Sequence, residues 1–546
     1  MLAQQKASLA SLASRQAVAP RMILGNAAAR VALPMAAGRA PAGAHASRRA
    51  VQMRSTATPA PPAPATKGLQ APGRSLDQVD VVYKFGGSSV RDAERMREVA
   101  DIVCSFPEHL PCVVLSAMGK TTNHLLECGD LALTCGTDAI PALPPLRKIR
   151  ELHLATCDEL GVEPAVRAEV EKLLNELQQL LIGINIMQDL TARAKDSLVS
   201  FGERMSTRIF ASFLRAQGVP ARQHDAWDLG FTTDDNFGNA DIIYEDSLPK
   251  VQKTLTFGPD DPRELPIVTG FLAKGKFTRA VTTLGRGGSD LSATVLGASL
   301  QLKEVQVWKD VDGVLTSDPR IVSDTRPVTE LTFEEATELA YFGAQVLHPL
   351  AMQPAVRSGS LNVRVKNSYN RGASGTVITK TRDLSSTVVT SIVLKPNVTM
   401  VDVHSTRMLG AHGFLSKVFA VFAKHQVSVD VVATSEVSVS LTLDPKRIWT
   451  EGEADEEIDR LVYDLEKIAT TNVAKDSAIL SLICNVSRTS EILQRAFSVL
   501  RREEINVQMM SQGASKVNIS LVIDAADGQR AVRALHEEFF GGAAAN

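Results

Sequence analysis

The sequence predicts an α/β protein, a three-layer sandwich around a mostly parallel sheet, followed by a smaller repeated α/β module. Three observations carry this reading. Between residues 77 and 385 short apolar runs alternate with long helical patterns, which implies parallel strands covered by helices on both faces. Gly-rich turns follow those runs, where such folds bind ligands. Beyond Ser386 the pattern becomes an internal repeat, offset by 78 residues at Phe419/Phe497 and by 80 at Leu441/Leu521.

The chain has 546 residues, 44% hydrophobic and 22% charged, which at about 150 residues per domain allows about three domains with their own cores. No run approaches the ~18 apolar residues of a membrane-spanning helix. Six cysteines (Cys104, Cys112, Cys128, Cys135, Cys157 and Cys484) form no C-x-x-C pair, so neither a disulfide framework nor a zinc site is expected. Net charge is −2, but residues 1–76 hold ten Lys/Arg and no acid, which leaves −12 on the remainder. An acidic body argues against nucleic-acid binding.

Residues 1–76 also hold 22 alanines and a proline run from Pro59 to Pro64. Acid-free composition with Arg and Ser is the signature of an organelle transit peptide that buries no core, and a basic disordered tail with no address would look similar. Composition alone leaves plastid and mitochondrion open. The folded protein is expected from Asp77.

The first strand is read at Val79–Phe85, ending in Gly86-Gly87 ahead of a helical pattern through Met96, Val99 and Ile102. A second run, Cys112–Leu115, leads into the small-residue turn Ser116-Ala117-Met118-Gly119. Further strands are read at Ile267–Phe271, Glu304–Trp308 and Leu361–Val365. In the repeat, Gly413–Phe422 parallels Ser490–Leu500, Val427–Val429 parallels Ile505–Val507, and Val439–Asp444 parallels Ile519–Asp524. Each copy reads strand, amphipathic helix, two strands, helix, strand. Such a βαββαβ pair suits ligand sensing or assembly, although repetition alone shows no chemistry.

Four constellations carry chemistry. Lys84-Phe85-Gly86-Gly87-Ser88-Ser89 combines a mobile cation with glycines that let backbone N–H groups approach an anion. Its lysine precedes the glycines, so it is not a Walker A loop; a plain tight turn would look alike. Thr282–Asp290 sets three glycines around Arg286, a cationic nest for carboxylate or phosphate oxygens, with Asp290 beside it and a helix start at Leu291-Ser292-Ala293-Thr294. Ser200–Ser206 opens a helical pattern in which Glu203 either accepts a substrate ammonium or complements a helix dipole from the first turn. Trp308–Arg320 follows a strand and mixes turn formers with Lys309 and Arg320, fitting a nucleotide-facing loop or a surface turn. No His/Cys cluster suggests a transition metal.

One reaction class explains the set. Phosphoryl transfer from ATP with Mg²⁺ needs cations and N–H donors around the moving charge and little covalent chemistry from protein. A carboxylate acceptor is already ionised at neutral pH and needs no general base.

These motifs, with residues 116–123 (Ser-Ala-Met-Gly-Lys-Thr-Thr-Asn), 233–240 (Thr-Asp-Asp-Asn-Phe-Gly-Asn-Ala) and 342–349 (Phe-Gly-Ala-Gln-Val-Leu-His-Pro), closely resemble the aspartate kinase family. The resemblance covers essentially all of 80–540. Residues 365–369 (Val-Lys-Asn-Ser-Tyr) and 511–520 look like its plant-type, plastid, monofunctional members. It implies a transit peptide at 1–76, an amino-acid-kinase domain at 77–385, one ACT domain at 398–474, and a second built from 387–396 plus 475–546. The strand Val389–Lys395 would interlock the two ACT units.

The implied reaction is ATP + L-aspartate → ADP + 4-phospho-L-aspartate, the first step toward lysine, threonine, methionine and isoleucine. Carried over by position, Lys84 neutralises the transferring phosphoryl with Gly86, Gly87 and Ser88, and Ser116 joins the nucleotide side. Arg286 holds the substrate α-carboxylate and Glu203 its ammonium; Thr122, Phe271, Ser289 and Asp290 complete that pocket. Lys309, Asp310, Leu315 and Arg320 would line the nucleotide. Gln345 stands where bacterial members carry a lysine near the phosphates, and it supplies no charge. Met408, Gly413, Phe414, Leu415, Asp430, Ser435 and Glu436 match the family's lysine-binding pattern, with two anions suited to a diamino acid. A lysine-inhibited homodimer joined through ACT domains in the plastid stroma is implied. Whether S-adenosylmethionine acts beside lysine stays open.

Three rivals remain on the sequence alone. A kinase for another amino acid, such as glutamate, is disfavoured by the Phe-Gly-Glu-Arg context of Glu203 and by the repeat. A catalytically silent sensor is disfavoured because Lys84 and Arg286 are both present. A fused dehydrogenase is not expected after the second repeat.

Overall fold

The computed structural model describes residues 71–72, 76–343, 347–405, 412–435, 437–444 and 454–541. Apart from residues 71, 72 and 76, the expected transit segment lies outside them, as do Gln345, Met408 and Glu436. Ala71 and Leu76 pack against the first core, so packing reaches into the stretch assigned to the transit segment.

The chain forms β1 (Val81–Phe85), α1 (Ala93–Cys104), β2 (Pro111–Leu115) and α2 (Thr121–Ala132), then α3 (Pro144–Leu160), α4 (Pro164–Met187) and α5 (Ala192–Ala216). There follow β3 (Ala221–His224), β4 (Thr232–Thr233), α6 (Tyr244–Leu255), β5 (Leu265–Thr269), β6 (Leu272–Gly275), β7 (Val281–Thr283) and α7 (Gly288–Ser299). The unit closes with β8 (Glu304–Lys309), β9 (Val314–Leu315), β10 (Pro327–Val328), β11 (Glu330–Thr332), α8 (Phe333–Phe342), α9 (Pro349–Ser358), β12 (Asn362–Asn367) and β13 (Thr376–Thr379).

The main sheet runs β11-β13-β12-β8-β1-β2-β5-β3. The strands from β12 to β3 are mutually parallel, while β13 opposes β12 and carries β11 along with it. Every residue of β1 and β2 is buried because each strand feeds two cores. Val81, Tyr83 and Phe85 join the core that includes α1 to α5, while Val82, Cys112 and Val114 join the core that includes α7 and α9. Continuous apolar strands are what a two-sided parallel sheet requires. From β1 the chain moves first to β2 and later returns on the other side through β8 and β12. The order therefore switches at β1, and a crevice opens outside the carboxyl ends of β1, β2 and β8.

Beyond β13 a second sheet follows, β15-β16-β14-β17-β19-β18. Its strands are β14 (Val389–His404), β15 (Val432–Thr434), β16 (Ser438–Leu443), β17 (Thr470–Cys484), β18 (Met509–Gln512) and β19 (Asn518–Asp524). Its helices are α10 (Phe414–Lys424), α11 (Ala454–Glu466), α12 (Thr489–Arg502) and α13 (Gly528–Phe540). β14 and β17 pair along nearly their whole lengths, with register shifts between Lys395 and Met400. At that junction Asn397 and Asp476 both take positive φ, 59° and 60°. One half of each long strand serves the repeat around Val401, Phe422 and Leu461, the other half the repeat around Ile392, Leu480 and Val532. The second repeat thus takes its fourth strand from chain that precedes the first.

Candidate active site

At the end of β1 the chain turns sharply against the turn after β2. A Cβ on Gly87 would stand 2.8 Å from the Ala117 carbonyl oxygen, so only glycine permits the approach. The Gly119 N–H donates to the Gly87 carbonyl at 3.0 Å, which locks the two turns together. Lys84, almost buried, places Nζ 2.6 Å from Oδ1 of Asp290, and Lys309 Nζ lies 3.9 Å from Oδ2. Asp290 sits in the first turn of α7, whose cap, Gly287, has a left-handed φ of 71°. Burial pushes the Asp290 carboxyl up, but Lys84 and Lys309 outweigh it and hold the group below its ordinary value. Asp290 is therefore a fixed anion that orients two cations and no base for a proton. Burial pulls Lys309 below its ordinary value, opposed by Asp290.

Glu203 faces these charges from α5. That helix starts eleven residues earlier at Ala192, capped by Thr191, whose hydroxyl accepts from the Ala194 N–H at 3.1 Å. Glu203 is thus mid-helix and 3% exposed, which removes the first-turn dipole role. Its Oε1 accepts from the Ala117 N–H at 3.1 Å, and Oε2 is buried without a partner. Burial, opposed by that N–H and by Lys84, pushes its pKa up to about 7. A buried, half-satisfied carboxylate is poised for a cation.

Phe271, a non-glycine residue at φ 69°, is held there because its N–H donates to Ser292 Oγ and its carbonyl accepts from the Leu284 N–H, both at 3.0 Å. Strain of this kind persists where the surroundings over-determine it. Ser116 Oγ donates to Ser289 Oγ at 3.0 Å, bridging the turn after β2 to α7. Together these groups enclose a cavity of about 310 Å³. Of the residues singled out in the sequence, Lys84, Gly87, Ser116, Thr122, Glu203, Phe271, Ser289 and Asp290 line it. Ala117, Gly119, Asn123, Gly285, Gly287 and Gly288, all within the stretches 116–123 and 282–290 singled out in the sequence, line it too. Arg286 is exposed on the loop between Gly285 and Gly287, and its side chain does not wall the cavity. One end is cationic and carries a helix N-terminus, suited to phosphate oxygens. The other presents a carboxylate suited to an ammonium.

Residues 81–367 match the amino acid kinase family and residues 481–539 an ACT domain. Over 462 residues the chain is 57% identical to aspartokinase 1, chloroplastic, of Arabidopsis thaliana, covering 85% of this chain and 80% of that one. The chain belongs to the aspartokinase family. The crystal structure of Escherichia coli aspartokinase III with lysine and aspartate superposes on this aspartokinase at a TM-score of 0.71 and 34% identity, covering 84% of this chain and 99% of that one. The same bacterial enzyme with aspartate and ADP gives 0.69 and 34%, over 84% and 100%.

Elsewhere in this aspartokinase the candidate residues are more scattered. Arg320 is exposed and grips Asp318 through Nε at 3.0 Å and Nη2 at 2.7 Å, on the surface. Asp310 is exposed, and Leu315 lies in β9, where its carbonyl accepts from Ser391 Oγ at 2.9 Å. Of the effector candidates, the Phe414 and Leu415 side chains begin α10 after Gly413, and Ser435 Oγ bonds Ser438 Oγ at 2.7 Å. Asp430 is already engaged: Oδ2 lies 2.5 Å from Lys395 Nζ, and Oδ1 accepts from the Tyr341 hydroxyl at 3.1 Å. Tyr341 belongs to α8 of the catalytic unit, so this one carboxylate ties both parts of the molecule. Lys395 and Tyr341 went unread because contacts between residues 35 and 89 positions apart leave no periodic trace.

Proposed function

We propose that this aspartokinase transfers the γ-phosphoryl group of ATP to the side-chain carboxylate of L-aspartate in the cavity between Lys84 and Glu203. The new bond joins a carboxylate oxygen to the γ-phosphorus; the bond from that phosphorus to the β,γ-bridging oxygen breaks, and ADP leaves with the electron pair. The carrying observation is the Lys84–Asp290–Lys309 cluster at one end of a cavity whose other end holds the unpaired Glu203 oxygen. Lys84, with Lys309 and the N–H groups of Gly87 and α7, stabilises charge on the moving phosphoryl oxygens. Gly86 and Ser88 shape the same turn. Glu203 takes the substrate ammonium, Arg286 folds over its α-carboxylate, and Thr122, Phe271 and Ser289 shape the wall.

Asp310, Leu315 and Arg320 form the outer nucleotide loop. Among the described residues no group of three His, Cys, Asp or Glu side chains could hold a metal. Mg²⁺ would arrive on the nucleotide phosphates and lend its charge there. Residues 1–76 direct the protein to the plastid, in keeping with the chloroplastic relative.

Catalytic residues 77–385 are followed by ACT units at 398–474 and at 387–396 plus 475–546. The division of β14 and β17 between two cores supports that partition. Lysine binds the first ACT unit around Gly413, Phe414, Leu415, Asp430 and Ser435, with Met408 and Glu436, in a homodimer. A hydroxamate assay with ATP and aspartate, with and without lysine and with glutamate as a rival acceptor, tests the reading. Product from glutamate at a rate matching aspartate, or indifference to lysine, refutes the corresponding part.

A further inference from the structure

The motif Thr233–Ala240 lines up with no reacting group, yet it is bound to one buried carboxylate. Asp196 is 2% exposed on α5, seven residues and about two turns before Glu203, so both point from one face of the helix. Its Oδ2 accepts from the Gly238 N–H at 2.9 Å and from the Thr283 N–H at 3.1 Å, and its Oδ1 accepts from Thr283 Oγ1 at 2.7 Å. Thr283 ends β7 and leads directly into Leu284-Gly285-Arg286. On its other side the Ala240 N–H donates to the Thr283 carbonyl at 2.9 Å, and Asn239 presses against Gly285 where a Cβ would clash. The loop is stiffened from within, since Asp234 Oδ1 accepts from the Asp241 N–H at 3.0 Å.

We propose that Asp196 is a positioning residue: it pins the Thr233–Ala240 loop and the start of the Gly285–Gly288 loop to α5, and so fixes the separation between Glu203 and Arg286. This deepens the substrate reading above and rests on it. Two backbone N–H donors share Oδ2 and the Thr283 hydroxyl meets Oδ1, so this one side chain supplies every acceptor that joins the two loops to α5. No Asp196 contact reaches the β1 turn or Lys309. Loosening it should therefore disturb the amino-acid end of the cavity and spare the nucleotide end.

The test is steady-state kinetics of full-length Asp196→Ala, with Arg286→Lys and Glu203→Gln beside it. Asp196→Ala removes both oxygens and leaves two buried N–H groups and a hydroxyl without their acceptor. It should raise KM for aspartate about tenfold, hold KM for ATP within about twofold, and change kcat by less than about threefold. An unchanged KM for aspartate in a folded protein, or equal rises in both KM values, overturns the proposal. Should Asp196→Ala fail to fold, Thr283→Val decides, because it removes only the hydroxyl contact. It should raise KM for aspartate about two- to fivefold, with recovery in Thr283→Ser; no rise, or none recovered, overturns the proposal. If Arg286→Lys and Glu203→Gln leave KM for aspartate untouched, the substrate reading fails first. If they raise it and Asp196→Ala does not, only the positioning role fails.

Discussion

Replacing Glu203 by glutamine should make the enzyme more stable at alkaline pH while destroying its grip on aspartate. An ordinary glutamate loses its proton near 4.5, whereas folded Glu203 keeps it to about 7. Between those values the folded protein holds a proton that the unfolded chain has released. Stability therefore declines as pH rises from about 4.5 to about 7 and is level above. A difference of roughly 2.5 pH units at 1.36 kcal/mol each makes the ionised, buried carboxylate a burden of about 3 kcal/mol at pH 8.

Glutamine removes that charge, and its Oε1 can still accept from Ala117 N–H, but its amide takes the place of the unpaired Oε2 at a cost of about 1–2 kcal/mol. The net gain is about 1–2 kcal/mol at pH 8, or about 2–3 °C for a catalytic unit of this size. Below about pH 5 the gain vanishes or reverses. Calorimetric unfolding of parent and variant at pH 5 and pH 8 measures the difference. The same change deletes the proposed acceptor for the substrate ammonium, worth roughly 1.5–3 kcal/mol, so KM for aspartate should rise about ten- to a hundredfold or more. In the parent, kcat/KM for aspartate should fall about tenfold per unit below pH 7 as Glu203 takes up its proton. A variant equally destabilised at both pH values, or one with the parent's KM for aspartate, refutes the reasoning.

Lys84→Ala should lower kcat by about 10²-fold or more in a folded protein, measured as ADP release, because a positioned cation at the developing charge is lost. Arg286→Lys keeps the charge and loses the planar fork, so KM for aspartate should rise more than KM for ATP; the reverse would put Arg286 on the nucleotide. Lysine titrations of Asp430→Ala and Glu436→Ala should show half-inhibition shifted upward by about an order of magnitude, with catalysis in the absence of lysine nearly unchanged. Lys395→Met should shift half-inhibition the other way, since it removes the ammonium already lodged 2.5 Å from Asp430; an unmoved curve would show that Asp430 takes no part in lysine binding.

The sequence revealed the parallel strands because β1, β2 and β5 are apolar runs closed by glycine or small residues, and β8 is a short apolar run closed by the turn formers after Lys309, all local signals. The strand β3, Ala-Arg-Gln-His, carried no such run and went unread, as an edge strand half open to solvent can. The start of α5 was also missed. Its first turns read Ala-Arg-Ala-Lys-Asp, with little apolar face, so the pattern became visible only near Ser200 and Glu203 looked like a first-turn residue. The read strand Val389–Lys395 continues to His404, because a register shift at Asn397 lets one strand cross between two cores. Arg286 was legible as a member of a Gly-rich nest, but its exposed side chain was not. Glycines report where backbone must pass, whereas the direction of a long cation at a loop tip depends on what lies opposite.

The two carboxylates of the cavity show why residue type alone could not assign their roles. Asp290 and Glu203 are both buried, and burial alone would drive either toward the neutral acid. Asp290 stays ionised because Lys84 and Lys309 share its two oxygens, and in return it keeps two like-charged ammonium groups close together where a triphosphate can meet both. Glu203 has one backbone N–H and a distant lysine, so its charge is under-compensated. A bound cation would restore that balance, and an α-ammonium supplies one without a proton transfer. The same functional group thus organises positive charge at one end of the cavity and demands it at the other. In the proposed reaction that asymmetry would orient an amino acid with its ammonium toward α5 and its side-chain carboxylate toward Lys84.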